Sequence, residues 1–227
     1  VKSVNFIKID KNILLGKLDY KKDSNFSIVN TKYSSKTIYL RNEVLLKFDE
    51  MYNAALKQGI KLLIISGTRS FNHQKYIWDR KWAKNIMKMD SISTIKEILK
   101  YSSMPSTSRH HWGTDIDLNN LQNSYFEKGE GKKIFDWLVK NAFKYGFHMT
   151  YDNQEESKRT GYKMEKWHWS YMPISEQYLL QFNQYIKYED ICYFKGSKFA
   201  CHEDIDIIKN FVNGINTDFK KTINVTE

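Results

Sequence analysis

Two short segments about fifty residues apart carry the side chains that most constrain how this chain can fold. The first, Ser108–Asp117 (SRHHWGTDID), contains the imidazole of His110 and the carboxylate of Asp117. The second, Glu165–His168 (EKWH), adds another imidazole, with a glutamate three residues before it. Two histidines and one aspartate are three ligands of a tetrahedral zinc ion whose fourth position stays open for water. The glutamate is the general base that a hydrolytic zinc site needs. The fold therefore has to bring both segments to one ion.

Two of these ligands have neighbours of the same type. His111 competes with His110, but adjacent side chains of an extended segment point to opposite faces, so only one should reach the metal. Asp115 competes with Asp117, and strand alternation places both on the same side, so spacing alone does not choose between them. The remaining histidines are predicted to be surface or hydrogen-bonding residues: His73, His148 and His202.

The composition is that of a folded protein. The chain has 227 residues, of which 41% are hydrophobic and 15% aromatic, enough for a substantial core. It has no run of about eighteen apolar residues, so we predict no transmembrane segment. It begins at Val1 without a charged and then apolar leader, which predicts that a signal peptide is absent or already removed.

The net charge of +10 is compatible with nucleic acid, acidic lipid or an anionic polymer such as cell wall. The basic residues are scattered, however, and no nucleic-acid-binding motif accompanies them, so we predict no nucleic-acid partner. Cys192 and Cys201 are nine residues apart and could close a short disulfide loop if the protein is exported.

The apolar pattern predicts an α+β domain. A helical period over residues 41–58 ends at Gly59, and the apolar run Lys61–Ser66 predicts a buried strand that delivers Arg69 to its C-terminal end. Other helices are predicted over 72–87, 93–101, 131–145, 175–188 and 203–214, and other strands over 4–9, 37–40, 147–151 and 167–172.

Three segments resemble a known family. Ser108–Asp117 is similar to the SxHxxGxAxD signature of VanY-type D-alanyl-D-alanine carboxypeptidases, and Glu165–His168 is similar to their ExWH signature. Ser66–Ser70 (SGTRS) with Gln74 resembles their SGYRSxxxQ segment. These enzymes form a zinc peptidase group with lysostaphin-type peptidases and hedgehog domains. The resemblance runs from about residue 41 to Tyr171.

The resemblance implies a fold and a role for each site residue. We expect a small antiparallel sheet flanked by helices, with residues 1–172 as the catalytic domain and 173–227 as a helical extension packed on it. One zinc ion would be held by His110, Asp117 and His168. Glu165 would be the base, and Arg69 would polarise the scissile carbonyl. Ser108 and Gln74 would help hold the substrate.

The implied activity is hydrolysis of the terminal D-alanine of peptidoglycan stem peptides, by Glu-assisted attack of zinc-bound water. The alternatives are a D,D-dipeptidase or a peptidoglycan endopeptidase with the same centre, or a non-catalytic zinc-containing module that binds cell wall. Such an enzyme would act as a monomer in the bacterial periplasm or at the cell surface. The chain departs from the family pattern at Asp115 (usually alanine), Thr68 (tyrosine) and Ser170 (often arginine), which leaves the shape of the substrate pocket open.

Overall fold

Strands from distant parts of the chain meet in two antiparallel sheets. The computed structural model describes residues 8–218. The predicted strand over 4–9 falls mostly outside these residues. Strand β1 (Phe26–Ile28) pairs with β2 (Tyr39–Arg41) in a small sheet. The larger sheet has the order β3-β4-β6-β5 and consists of β3 (Ile64–Ser66), β4 (Asp115–Leu118), β5 (Phe147–Met149) and β6 (His168–Tyr171).

Helices lie around these sheets, close to the positions that the apolar period predicts. Ser70 caps one of them by accepting a hydrogen bond from the backbone N–H of His73, and Asp90 caps the next in the same way. The α-helices are α1 (Lys11–Leu14), α2 (Asn42–Leu56), α3 (Phe71–Asn85), α4 (Ser91–Leu99), α5 (Gly129–Asn141), α6 (Gln154–Ser157) and α7 (Met172–Tyr185). Short 3-10 turns span Arg109–Trp112, Asn123–Glu127, Ala142–Tyr145, Tyr188–Asp190 and Ser197–Phe199.

The first core lies between α2 and the larger sheet. Helix α2 turns Phe48 and Met51 inward, where they join Ile116 and Phe147 from the strands; all four side chains are 0% exposed. Gly59 follows the helix with φ +74°, a left-handed conformation that favours glycine, and so ends it where the sequence predicts. The packing of these side chains against α2 fixes the position of β4, the strand that carries Asp117.

A second core supports the turn that carries His110. Tyr178 and Phe182 of α7 pack against the Trp112 ring, with ring centroids 5.8 and 6.2 Å from it. Apolar side chains of residues 173–218 share this core with earlier parts of the chain, while the division into a catalytic domain (1–172) and an extension (173–227) stays a prediction. No helix within residues 8–218 has the length and apolar character needed to cross a membrane.

The predicted helix over 203–214 is wrong for half of its length. Only a π-helical turn, Ile207–Val212, forms there, and it follows Asp206, whose φ of 37° is left-handed. A residue in that conformation interrupts a regular α-helix. The disulfide is also absent: Cys192 and Cys201 are free thiols, and the Cys192 sulfur lies 3.8 Å from the carbonyl oxygen of Asp190.

Candidate metal centre

The sheet register brings the three predicted ligands together. Asp117 on β4 and His168 on β6 are directly opposite each other, and the turn Arg109–Trp112 places His110 beside them. His110 Nε2 lies 3.4 Å from Asp117 Oδ1, and His168 Nδ1 lies 3.2 Å from the same oxygen. The three ligand atoms are all within 4.8 Å of one another, and all three side chains are buried.

These atoms fit a metal ion. Ligand bonds of about 2.0–2.2 Å in a tetrahedral zinc site place neighbouring ligand atoms about 3.4 Å apart, close to both distances given above. His110 Nε2 and Asp117 Oδ1 are buried and have no hydrogen-bond partner within residues 8–218. Buried polar atoms without partners are costly, and a shared cation satisfies both at once. The donor set therefore matches a divalent ion such as zinc.

The second nitrogen of each imidazole is held by the protein. His110 Nδ1 donates to the carbonyl oxygen of Gly67 at 2.8 Å, and His168 Nε2 donates to Asp115 Oδ2 at 2.8 Å. Each bond places the proton on the far nitrogen and leaves the lone pair of the other directed at the metal position. Asp115, the rival of Asp117 in the sequence, is thus the hydrogen-bond partner of His168, a predicted ligand.

Asp115 belongs to a buried polar network. It accepts hydrogen bonds from Arg109 Nε at 3.0 Å, Thr114 Oγ1 at 2.7 Å and Ser170 Oγ at 2.8 Å. Burial alone would raise the pKa of Asp115, but Arg109 and His168 hold it below its ordinary value. Burial likewise opposes charge on His168, but the neighbouring carboxylates of Asp115 and Asp117 raise its pKa to about 9, so a metal ion at this position competes with a proton for Nδ1. Two departures from the family pattern, Asp115 and Ser170, therefore contact each other in one network.

His111 faces away from the ligand cluster. Its Nδ1 donates to the carbonyl oxygen of Arg69 at 2.7 Å, and its Nε2 accepts from the backbone N–H of Ser106 at 3.2 Å. Burial lowers the pKa of His111 to about 3, so the ring is neutral. Arg109–Trp112 is a 3-10 turn and not the extended segment that was expected, but the side chains of the two adjacent histidines still point in different directions. Gly16 packs against this ring so closely that an added Cβ would lie 2.3 Å from it.

Glu165 lies beside the three ligands. Its Oε2 is 3.5 Å from His168 Nδ1, and its backbone carbonyl accepts from the N–H of His168 at 3.1 Å, which closes the turn between them. Burial raises the pKa of Glu165 to about 8. A carboxyl group whose pKa lies near the working pH can both accept and return a proton.

Arg69 follows the end of β3, and its side chain lies beside the same cluster. Its Nη1 donates to Gln74 Oε1 at 2.9 Å, its Nη2 is 3.8 Å from Asp117 Oδ2, and its Nε has no partner within residues 8–218. Gln74 also donates to the carbonyl oxygen of Ser103 at 2.8 Å and is fully buried. Gln74 therefore supports Arg69, and its contact with substrate stays a prediction. Ser108 is buried and lines a cavity of about 30 Å³ beside His110, where a substrate contact is likewise still a prediction.

A cleft of about 550 Å³ opens from the centre, a size that suits a peptide ligand. Arg69, Asp117 and Glu165 form part of its wall. Several other wall residues could not be predicted from the sequence, because they belong to no recognisable motif. They are Lys81, Tyr101, Ser102 and Asn123. A groove of about 690 Å³ between segments 16–21 and 70–73 contains none of the three ligands.

Comparison with known proteins identifies relatives of this chain. A family model described as "VanY: D-alanyl-D-alanine carboxypeptidase" matches residues 37–174. A D-alanyl-D-alanine carboxypeptidase of Enterococcus faecium is 28% identical over 162 residues, which cover 71% of this chain and 46% of the relative. The chain spans about half the length of three curated relatives that it matches.

Two solved structures share the fold. VanYB in complex with D-alanine-D-alanine has a TM-score of 0.56 and 20% identity, over 80% of this chain and 90% of that one. A mutant of the D,D-pentapeptidase VanY from a VanB-type vancomycin-resistance cassette, in complex with Zn(II), has a TM-score of 0.52 and 22% identity, over 68% of this chain and 88% of that one. The α+β fold predicted from the sequence is confirmed.

Proposed function

Because the chain belongs to the VanY family of D-alanyl-D-alanine carboxypeptidases, we propose that it is a zinc-dependent enzyme that removes the terminal D-alanine of peptidoglycan stem peptides. The observation that carries the proposal is the buried cluster of His110, Asp117 and His168 with Glu165 beside it. The relatives support it, since one is solved with Zn(II) and another with D-alanine-D-alanine.

The residues of the cleft have separate tasks in this reaction. When bound by His110, Asp117 and His168, one zinc ion supplies Lewis acidity and lowers the pKa of a water molecule to about 7. Glu165 accepts the proton of the attacking water and passes it to the departing amine of D-alanine. The guanidinium of Arg69, whose Nε has no partner within residues 8–218, donates to the oxygen of the scissile carbonyl as negative charge develops there. Gln74 holds that guanidinium in place.

Digestion of purified muropeptides tests this function. The protein is assayed in three forms: as purified, after chelation, and after zinc is restored. Mass spectrometry should show pentapeptide stems shortened by one alanine in the first and third forms only. Tetrapeptide stems in the same digest report whether a bond after an L-configured centre is also cut. Pentapeptides that stay intact with zinc-loaded protein would contradict the proposal.

The same digest separates the alternatives. Free D-alanyl-D-alanine among the products would indicate a D,D-dipeptidase, and monomers released from cross-linked dimers would indicate an endopeptidase. Binding to muropeptides without any cleavage would indicate a non-catalytic module. Because the substrate is cell wall, we propose that the protein acts in the bacterial periplasm or at the cell surface, as a monomer. Sedimentation of the full chain checks the oligomeric state.

Arg69→Gln is expected to lower kcat about 10²–10³-fold, because it removes a charged donor to the developing oxyanion. Metal content should stay unchanged, since Arg69 Nη2 is 3.8 Å from Asp117 and is not a ligand. Steady-state kinetics and metal analysis of the same sample check this. Arg80→Gln on the neighbouring helix α3 is the matched control. A variant that keeps wild-type kcat would remove Arg69 from the mechanism.

Asp115→Asn is expected to weaken zinc binding about 10–100-fold, because it removes the carboxylate that orients His168. The measurement is competition for zinc with a chromophoric chelator, which does not depend on activity. The exposed Asp136→Asn serves as the control. Because Arg109 would lose its buried partner, Ser170→Ala is tested in parallel as a milder change to the same network. Unchanged zinc affinity in folded Asp115→Asn would contradict the assignment.

A further inference from the structure

One cation on the cleft wall has no part in the proposed reaction. Lys81, on helix α3, lines the cleft that also contains Arg69 and Glu165. Its ammonium donates a hydrogen bond to Ser102 Oγ, a residue of the same wall. Within residues 8–218, no carboxylate lies within ion-pair distance of this ammonium. The other lysines of α3 differ: Lys75 pairs with Asp79, and Lys84 is exposed.

The position of Lys81 on α3 relates it to the reaction centre. Gln74, Ile77 and Lys81 are spaced by three and four residues, so they share one face of the helix, and Ile77 lines the cleft with Lys81. At 1.5 Å per residue, Lys81 is about 10 Å along the axis from Gln74, which holds Arg69. An extended peptide covers that length in about three residues. Because Arg69 and Lys81 line the same cleft, a peptide whose scissile carbonyl contacts Arg69 and which extends along this face of α3 would reach Lys81.

The chemistry of this pair suits an anion. An ammonium has three donors, of which Ser102 takes one, so two remain for a ligand. Because Ser102 Oγ accepts from Lys81, its own O–H is free to donate to the same ligand. Burial lowers the pKa of Lys81, while the charge of Glu165 across the cleft raises it. A half-buried ammonium without a paired carboxylate is a costly arrangement that an anionic ligand would compensate.

We propose that Lys81 and Ser102 form a carboxylate-binding subsite of the cleft. Its ligand is a carboxylate of the substrate peptide that is not part of the scissile bond. The inference rests on the proposed peptidase function and extends it to substrate selection. Two carboxylates of a stem peptide have the required chemistry: the C-terminal carboxylate of the residue that leaves, and the free carboxylate of an acidic residue inside the stem.

The test combines Lys81 variants with amidated peptides. Three synthetic peptides ending in D-alanyl-D-alanine are used: one with both carboxylates free, one with a C-terminal amide, and one with the internal acid amidated. Binding to a Glu165→Gln background, in which turnover of the peptides is expected to be slow, is measured by calorimetry. KM and kcat are measured with Glu165 intact. Lys81→Met removes the charge, Lys81→Arg keeps it, and Lys84→Met is the matched control on the same helix.

The expected result is an interaction between the lysine and one carboxylate. In the parent protein, amidation of that carboxylate should weaken binding about 10-fold or more, as for hydrogen bonds to charged groups. In Lys81→Met the acid and the amide should bind equally weakly, with most of the kinetic change in KM. Lys81→Arg should recover part of the difference, and Lys84→Met should retain all of it. The amidated peptide that binds weakly to the parent protein identifies which of the two carboxylates is recognised.

Two outcomes would overturn the subsite. If Lys81→Met weakens acid and amide peptides by the same factor, Lys81 acts on the fold or through Glu165 and not on a carboxylate. If amidation has no effect in the parent protein, no carboxylate is recognised. Failure of the proposed function has a different signature: the parent protein then cleaves none of the peptides, while calorimetry still reports whether Lys81 recognises a carboxylate.

Discussion

Glu165→Gln is expected to lower kcat for D-alanine release about 10²–10⁴-fold, the range for loss of a general acid–base group. Glutamine has nearly the shape of glutamate but cannot take a proton from water at neutral pH. The carboxylate it replaces is buried, has its pKa raised to about 8, and lies 3.5 Å from the Nδ1 atom of His168. Because Glu165 is outside the three-ligand cluster, zinc content should stay near that of the parent protein.

The control for this variant is Glu155→Gln, in the exposed helix α6, which should retain parental kcat. Metal analysis and circular dichroism of each sample separate loss of catalysis from loss of zinc or of fold. A Glu165→Gln enzyme that cleaves at the parental rate would contradict the role of Glu165 and would favour a different base.

His110→Ala is expected to lose the metal and, with it, measurable hydrolysis. The substitution leaves two of the three ligands and removes the nitrogen that lies 3.4 Å from Asp117 Oδ1. Purified parent protein should contain about one zinc ion per chain, as expected for a three-ligand catalytic site, and the variant far less. After chelation, added zinc should also raise the melting temperature of the parent protein but not of the variant, because only a bound ligand stabilises the folded state.

The comparison needs a histidine outside the cluster, and His202→Ala provides it, since His202 contacts the backbone N–H of Asp204 far along the chain from the ligands. This control should bind zinc and hydrolyse peptide as the parent does. Full zinc content in His110→Ala would show that His110 is not a ligand and would return His111 to consideration.

Much of the site can be predicted from the sequence, because its chemistry restricts the residue types. Zinc is bound by imidazole and carboxylate groups, so the spacing of His110, Asp117 and His168 within two motifs is informative without any coordinates. The strand that carries His168 and the helices α2 and α3 follow from apolar periodicity and capping residues, and the structure confirms them within a few residues. These features depend on neighbours in the chain.

The C-terminal segment shows where such local patterns fail. Residues 203–214 have helical spacing of apolar side chains, yet they form turns and a single π-helical turn. Here the left-handed backbone at Asp206 and the packing of Gly214 against Thr160 override the local preference. Cys192 and Cys201 are similar, because nine residues of separation do not determine where two thiols point.

The sequence by itself indicated which side chains are candidates for the metal ligands and the base, since those roles require particular functional groups and these occur in recognisable motifs. Only the tertiary structure decided how their neighbours act: Asp115 as the partner of His168, Gln74 as the support of Arg69, and Lys81 as a cation in the cleft that has no carboxylate partner among residues 8–218. The bond between Asp115 and His168 joins residues 53 positions apart. Contacts of this kind depend on strand register and side-chain direction, which arise only when distant segments pack together.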